Sequence, residues 1–157
     1  MTPAINSAEK AQIRYNVHQY EHDSNAPSYG EEAAQKLNVS PAQVFKTLVV
    51  ELDTGALAVA VIPVSHQLNL KAMAAAVKAK KAKMADQKAV ERSSGYVLGG
   101  VSPLGQKKLL KTVIDQQAQH FDTVFVSAGR RGLEIELSPH DLTRLLQASF
   151  AEIGKLR

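Results

Sequence analysis

The sequence has no cysteine and no tryptophan among its 157 residues, and aromatic residues make up only 5% of the chain. Without cysteine the fold uses no disulfide, and the protein has no thiol nucleophile and no zinc–thiolate site of its own. The scarcity of aromatic rings argues against a nucleic-acid surface built mainly on base stacking. These absences exclude disulfide-stapled and zinc–thiolate proteins and disfavour stacking platforms.

Long hydrophobic runs are absent as well. No apolar stretch reaches the roughly 18 residues that span a bilayer, and residues 1–6 lack the basic and apolar regions of a signal peptide. We therefore expect a cytoplasmic protein without a membrane partner. The hydrophobic fraction of 45% and the charged fraction of 22% are ordinary for a globular chain, and the length predicts a single domain over residues 1–157.

Helical and strand patterns are mixed along the chain, without the regular alternation of a doubly wound sheet. Two β-branched runs, Phe45 to Leu52 and Ala56 to Val64, flank Asp53-Thr54-Gly55, which is typical of a hairpin turn. Ser28 and Ser138 stand at positions that favour helix N-caps. The predicted helices are 2–12, 29–37, 69–78, 86–92 and one from 139 onward, with a short helical turn after residue 40. The predicted strands are 14–22, 45–52, 56–64, 111–114, 123–126 and 133–137. We therefore expect an α+β fold with a largely antiparallel or mixed sheet.

A glycine-rich loop, residues 99–108, is the strongest candidate for chemistry. Such a loop can turn backbone N–H groups toward an anion, or toward a carbonyl oxygen that becomes an anion during reaction. The spacing from Gly100 to Gly105 is that of a phosphate-binding P-loop, but Gln106 and Lys108 stand where that motif needs lysine and serine or threonine. We therefore expect backbone donors for a small oxyanion; the alternative is a turn that needs glycine only for its geometry.

Lys46 is the only charged residue between Phe45 and Val50, in a strand that is otherwise mostly apolar. Its ammonium group either reaches solvent at a sheet edge or faces a pocket. In a pocket it could hold a carboxylate, a phosphate or a polarised carbonyl, or act as a base once desolvation lowers its pKa.

No conventional catalytic group accompanies these features. His18, Tyr20 and His22 share one face of a predicted strand, but four residues of strand separate the two histidines by about 13 Å, too far to share a metal ion. Tyr20 could line a cleft as a hydroxyl donor or be a partly buried structural residue. No serine stands in a nucleophile-elbow frame, and no paired carboxylates are visible. If the protein is an enzyme, water or the substrate itself must attack.

Basic residues cluster although the net charge is only +4. The lysines form two clusters, one of Lys78, Lys80, Lys81 and Lys83 and one of Lys107, Lys108 and Lys111, and Arg130 and Arg131 are adjacent. Each cluster is either a solvated surface or a patch that contacts a phosphate backbone.

Three segments together carry a resemblance to a known family. They are Phe45-Lys46-Thr47-Leu48, Gly95-Tyr96 leading into residues 99–108, and Ser127-Ala128-Gly129-Arg130-Arg131-Gly132-Leu133. In order and over essentially the whole chain, they resemble the YbaK/EbsC family of free-standing aminoacyl-tRNA deacylases. That family is related to the editing domain of bacterial prolyl-tRNA synthetases. The resemblance implies one compact α+β domain, with a curved, barrel-like mixed sheet and surrounding helices.

The resemblance also implies a function. The YbaK branch clears cysteine from tRNA(Pro) by a route in which the substrate's own thiol attacks the ester carbonyl and releases a cyclic thiolactone. We therefore expect a deacylase for Cys-tRNA(Pro) that uses no cofactor and no metal, with mischarged tRNA(Pro) as substrate, prolyl-tRNA synthetase as a candidate partner, and no DNA. The alternatives are a water-activating deacylase for Ala-tRNA or another small mischarged residue, and a non-catalytic tRNA-binding protein.

By motif position the resemblance implies a set of site residues. Lys46 would hold the aminoacyl or terminal-adenosine end, and the amides of Gly99, Gly100 and Val101 would face the ester oxygen. The residues expected to bind the substrate are Tyr20, Ser102, Ser127, Gly129 and Glu134. Glu134 falls where close relatives can carry aspartate, and Ser127 and Gly129 would form the wall opposite Tyr20 and Ser102. The lysines expected to contact tRNA are Lys78, Lys80, Lys81, Lys107 and Lys108.

Overall fold

The computed structural model describes residues 1–26 and 28–157. These residues form five α-helices, ten strands and one short 3-10 helix. The helices are α1 (Pro3–Lys10), α2 (Tyr29–Lys36), α3 (Leu70–Ala76), α4 (Gln87–Ser94) and α5 (Pro139–Leu146), and the 3-10 helix is Gln116–His120. The strands are β1 (Tyr15–Gln19), β2 (Phe45–Leu52), β3 (Leu57–Pro63), β4 (His66–Leu68), β5 (Ala82–Met84), β6 (Lys111–Asp115), β7 (Val124–Arg130), β8 (Leu133–Leu137), β9 (Ser149–Ala151) and β10 (Gly154–Leu156).

Polar N-caps define where the helices begin. The Ser28 hydroxyl accepts a hydrogen bond from the Glu31 amide at the start of α2, and the Ser138 hydroxyl accepts one from the Asp141 amide at the start of α5. Both capping predictions are confirmed. The helical turn predicted after residue 40 is only a hydrogen-bonded turn, in which the Ser40 side chain caps too short a segment for a helix.

The strands form three sheets. The largest has the order β5-β2-β3-β6-β9 and is mixed, because β2 is antiparallel to both β3 and β5 whereas β6 is parallel to both β3 and β9. A second, antiparallel sheet has the order β1-β8-β7, and β4 pairs with β10. The α+β class with a mixed sheet is therefore confirmed. An isolated bridge between Val44 and Phe125 joins the two larger sheets at one corner, and the sheets of the described residues do not close into the expected barrel.

The five-stranded sheet is buried on both faces. On one side Val49 and Val61 pack toward Val126 and Ile135 of the three-stranded sheet. On the other side a separate apolar cluster, including Met73 of α3, covers the sheet. Burial on both faces explains why β3 is a continuous apolar run rather than an alternating one. In the part of the chain that the structure describes, no helix is long and apolar enough to cross a membrane.

Candidate active site

A cavity of about 230 Å³ lies where the first half of β2, the start of α2, the glycine loop and the β7–β8 hairpin meet. Six of the site residues expected from the sequence line it: Tyr20, Lys46, Gly99, Val101, Ser127 and Glu134. The volume is below the roughly 300–1,000 Å³ of sites for drug-sized ligands, so the cavity suits a small group. A more open groove of about 820 Å³ on α2 brings together none of the expected site residues.

Lys46 projects from β2 into an environment that disfavours its charged form. Its side chain is half-buried, and this burial lowers its pKa, with a smaller contribution from the charge of Arg157. Arg157 is itself fixed, because its guanidinium pairs with Glu31 and donates to the Val64 carbonyl oxygen at 2.8 Å. Lys46 thus brings a partly desolvated cation to the cavity.

Glu134 and Tyr20 supply protonated oxygens to the same cavity. Glu134 is only 7% exposed, and burial raises its pKa to about 8. Burial, with the nearby charges of Glu134 and Glu32, raises the pKa of Tyr20 to about 12. Near neutral pH the Glu134 carboxyl is mostly protonated and the Tyr20 hydroxyl is fully so, and both can donate hydrogen bonds to a ligand. Ser127 lies directly across from Glu134 in the β7–β8 pairing, which places the two side chains on the same face.

The glycine loop offers two free amides rather than three. Gly99, with a φ of +90°, and Val101 line the cavity, and within residues 1–26 and 28–157 their N–H groups have no acceptor. The expectation for Gly100 is corrected, since its N–H donates to the Val97 carbonyl at 3.0 Å. A Cβ at Gly100 would lie 2.7 Å from the Arg130 Cα. Gly100 therefore lets the loop pack closely against β7.

Ser102 and Gly129 also differ from their expected places in the cavity wall. Ser102 is fully buried beneath the loop, where its hydroxyl accepts a hydrogen bond from the Leu104 amide at 3.2 Å. Gly129, at a φ of +111°, lies in a β-bulge, and its amide donates to the Ser127 hydroxyl at 3.1 Å. Ser102 shapes the loop and Gly129 positions Ser127; neither lines the cavity.

Lys107 and Lys108 are exposed and lie close to the glycine loop. Their amides donate to the carbonyls of Ser94 and Ser93, which ties this segment to the end of α4. Neither ammonium group has an ion-pair partner among the described residues, so both are available to a ligand that approaches the loop.

The other basic cluster, at residues 78–81, lies farther away. Its backbone is held by Asp53, whose carboxylate accepts hydrogen bonds from the amides of Lys80 and Lys81. In the backbone register of β5 and β2, Lys83 lies across from Glu51. Glu51 is five residues along β2 from Lys46, about 17 Å at roughly 3.3 Å per residue. The cluster at residues 78–81 therefore lies away from the cavity, whereas Lys107 and Lys108 belong to the segment that begins at the lining residue Gly99.

Other lining residues were not singled out by the sequence patterns, among them Thr47, Tyr29 and Leu98. The Thr47 hydroxyl is buried and has no hydrogen-bond partner among the described residues, and the signal that could have found it is its place beside Lys46. Tyr29 and Leu98 are 38% and 61% exposed and line the cavity from α2 and the glycine loop.

The cavity contains no activated nucleophile of its own. No histidine lines it, and in the described chain none of its hydroxyl groups bonds to a histidine or a carboxylate. The Ser–His type of arrangement that activates a hydroxyl is therefore not formed here. What remains is a set of donors, two loop amides, a lysine and protonated oxygens, around a small volume.

This fold is that of an aminoacyl-tRNA editing domain. Residues 23–145 match the family model described as the aminoacyl-tRNA editing domain, which is more than half of the chain. The chain therefore belongs to this family, and the resemblance to the YbaK/EbsC deacylases is confirmed. It is an enzyme of the aminoacyl-tRNA deacylase class, whose members cleave the ester between an amino acid and tRNA.

Similar proteins cover nearly all of the chain. A relative from Enterococcus faecalis, provisionally named Cys-tRNA(Pro)/Cys-tRNA(Cys) deacylase EbsC, is 36% identical over 152 residues, which are 97% of this chain and 92% of that protein. Two crystal structures share the fold with TM-scores of 0.86. One, provisionally described as a trans-editing enzyme for prolyl-tRNA synthetase, is 20% identical and the match covers 98% of this chain and 95% of that one. The other, the hypothetical protein APE2540, is 24% identical with 98% and 99% covered.

Proposed function

We propose that the protein deacylates Cys-tRNA(Pro) in trans, with the thiol of the substrate's own cysteine as the nucleophile. One observation carries this proposal: a small cavity gathers Lys46, Glu134 and two free loop amides but holds no activated nucleophile. Because the chain has no cysteine, a thiol can come only from the substrate. The name of the Enterococcus faecalis relative supports cysteine as the amino acid removed.

The donors of the cavity are suited to stabilise charge on the ester. The carbonyl oxygen would accept hydrogen bonds from the Gly99 and Val101 amides as negative charge develops on it. The Lys46 ammonium would add a positive charge within the same cavity. Because the site is partly desolvated, these interactions are stronger there than in water.

The reaction then needs only the substrate's sulfur. The sulfur forms a bond to the carbonyl carbon, and the bond from that carbon to the ribose oxygen breaks. The thiol proton ends on the ribose oxygen, giving a cyclic thiolactone and tRNA with a free hydroxyl; water later hydrolyses the thiolactone to cysteine. The pKa of Glu134, about 8, is close to the roughly 8.5 of a free thiol, so the deprotonated fraction of Glu134 can accept the thiol proton and the carboxyl it becomes can pass that proton to the leaving oxygen.

The substrate assignment follows from the error that such an enzyme would correct. Cysteine and proline are similar in size, and a pocket that fits one cannot strongly reject the other by shape alone. Mischarged tRNA(Pro) is thus the proposed partner, with prolyl-tRNA synthetase as a candidate second one. The exposed Lys107 and Lys108 would meet the phosphates of the tRNA end.

A panel of charged tRNAs tests this proposal. The protein is incubated with Cys-tRNA(Pro) and Ala-tRNA(Pro), alongside the variant Lys46→Ala and the matched control Lys10→Ala, an exposed lysine at the end of α1. We expect loss of the cysteine ester, slowed at least ~100-fold by Lys46→Ala and unchanged by the control.

Three other outcomes would each contradict a part of this proposal. No cleavage of Cys-tRNA(Pro) by the wild type would refute the function, and an unimpaired Lys46→Ala variant would refute the role of Lys46. Equal cleavage of the alanine ester would replace the thiol route with water activation, for which Glu134 is the candidate base.

A further inference from the structure

A connected series of four side chains, Glu32, His22, Arg131 and Tyr29, runs from the protein interior to the edge of the cavity. Glu32 on α2 is buried, and its two carboxylate oxygens lie 2.7 Å from Nδ1 of His22 and 2.6 Å from the Asp23 amide nitrogen. The other ring nitrogen of His22, Nε2, lies 2.5 Å from Nη1 of Arg131. The Arg131 guanidinium in turn stacks on Tyr29, 3.7 Å from the ring centroid.

The proton positions in this series follow from its chemistry. Arginine can only donate, so Nε2 of His22 accepts, and the His22 proton sits on Nδ1 and is donated to Glu32. Burial is the largest influence on the pKa of Glu32 and acts to raise it, but the hydrogen bonds from His22 and the Asp23 amide, together with nearby positive charge such as that of Lys36, lower that pKa overall. The His22 imidazole therefore separates a buried carboxylate from the guanidinium.

This arrangement leaves the charge of Arg131 without a direct counter-ion. Among the residues that the structure describes, no carboxylate lies within ion-pair distance of it, and its only hydrogen bond is the one to His22. A guanidinium has five N–H donors, so several remain. A Cβ at Gly99 would lie 3.2 Å from Nε of Arg131, so the guanidinium packs between Gly99 and Tyr29, two residues that line the cavity.

We propose that Arg131 binds the 5′-phosphate of the substrate's terminal nucleotide, and that Glu32 and His22 are positioning residues that hold its guanidinium for this contact. The inference rests on the proposed function, because the ester must occupy the cavity for the adjoining phosphate to reach Arg131. In a terminal nucleotide that phosphate is one ribose away from the ester. Arg131 packs on Gly99, whose amide would face the ester oxygen, and a planar guanidinium matches a phosphate through two parallel hydrogen bonds.

Two minimal substrates separate phosphate binding from structural support. One is the cysteine ester of adenosine 5′-monophosphate, and the other is the same ester of adenosine, which lacks the phosphate. We expect Arg131→Gln to lower kcat/KM for the phosphorylated ester about 10-fold or more, mainly through KM, and to leave the other ester unchanged. Arg131→Lys, which keeps the charge but loses the planar fork, should fall in between.

The positioning role has its own pair of variants. Glutamine at position 22 can still donate to Glu32 and accept from Arg131, so His22→Gln should keep most of the phosphate dependence, whereas His22→Phe should lose it as Arg131→Gln does. Arg14→Gln, at an exposed arginine before β1, is the control. Circular dichroism and thermal unfolding confirm that each variant is folded.

Uncleavable analogues keep this inference distinct from the proposed catalysis. Analogues of the two esters with an amide in place of the ester are titrated by calorimetry. Tighter binding of the phosphorylated analogue by the wild type, lost in Arg131→Gln, supports the inference even if neither ester is cleaved. No phosphate-dependent difference in the wild type, or equal losses on both esters in Arg131→Gln, would overturn it. Normal binding without cleavage would instead refute the proposed catalysis alone.

Discussion

At the scale of single residues, Glu134 makes the sharpest prediction for stability. Its pKa is about 8 in the folded protein because of burial, against 4.5 for an ordinary glutamate. Between these values the folded state holds a proton that the unfolded state releases, so stability falls as pH rises from 4.5 to about 8 and levels off above that. The change is at most about 5 kcal/mol, at roughly 1.4 kcal/mol per pH unit.

Glutamine at this position removes the titrating group. We expect Glu134→Gln to have a higher free energy of unfolding than the wild type at pH 8.5, with the difference fading toward pH 5. Urea unfolding at both pH values measures it. The same decline with pH in wild type and variant would show that Glu134 is not the group responsible. The variant should also deacylate more slowly, since an amide cannot accept the thiol proton.

The positions of the site residues could be predicted from the sequence only where a motif fixes the backbone. Lys46 and Glu134 lie in strands, so their positions in the motif were enough to bring both to one cavity. In the loop the direction of each N–H decides the role, and the sequence does not reveal that the Gly100 amide is used by Val97. The contact between His22 and Arg131 joins residues 109 apart and has no local signal.

At the scale of elements, the β-bulge in β7 determines where Ser127 stands. A Cβ at Gly129 would lie 2.9 Å from Cε1 of Tyr96 and 3.1 Å from Cβ of Thr2, at a φ of +111°. Gly55 is a matched control, since its φ is +89° but a Cβ there meets nothing within 4 Å. Gly129→Ala should therefore cost about 1–3 kcal/mol more in the free energy of unfolding than Gly55→Ala.

Chemical denaturation of both variants measures this difference, and a deacylation assay shows whether Ser127 has moved. Equal destabilisation by the two substitutions would mean that the contacts around the bulge relax freely. Loss of activity is expected only for Gly129→Ala, because the Gly55 turn lies at the opposite end of β2 from Lys46.

Longer elements were predictable and very short ones were not. The β2–β3 hairpin and the helices that begin at Ser28 and Ser138 carry turn or cap signals and were found within one or two residues. Three-residue strands such as β4 and β10 have too few residues to show an alternating pattern, and tertiary pairing alone creates them. β7 runs to Arg130, beyond its predicted end, because the bulge lets the strand continue past Gly129.

At the scale of the whole molecule, the two basic clusters should contribute differently to tRNA binding. The double variant Lys107→Gln/Lys108→Gln removes charge beside the glycine loop, and Lys80→Gln/Lys81→Gln removes charge about 17 Å or more along the sheet. Each lost phosphate contact should lower the slope of log affinity against log salt by roughly 0.7–0.9. We expect Lys107→Gln/Lys108→Gln to reduce the slope more than Lys80→Gln/Lys81→Gln does, and kcat to be preserved in both double variants.

Filter binding of tRNA over a salt series measures these slopes, with Lys10→Gln as the control. An unchanged slope in both double variants would place the tRNA on another surface. A large fall in kcat without a change in slope would instead assign the lysines a part in the chemistry.

The class of the fold was predictable from the sequence, but whether its sheets close into a barrel was not. The mixture of strand and helix patterns along the sequence predicts the α+β class. Closure into a barrel depends on how the two larger sheets meet, and in the described residues an isolated bridge between Val44 and Phe125 joins them. The same meeting point opens the cavity beside Lys46. The location of the site is thus a property of the assembled sheets, although most of its residues lie in recognisable motifs.

The central claim, that the substrate's thiol attacks its own ester, is tested most directly by a change of one atom. tRNA(Pro) is charged with cysteine or with serine, and the single-turnover rate of deacylation is measured for each with the wild-type protein. Oxygen in place of sulfur removes the thiol but hardly changes the size of the ester. We predict that the cysteine ester is cleaved at least ~100-fold faster, a difference of about 2.7 kcal/mol in activation free energy. Equal rates, or faster loss of serine, would contradict the account.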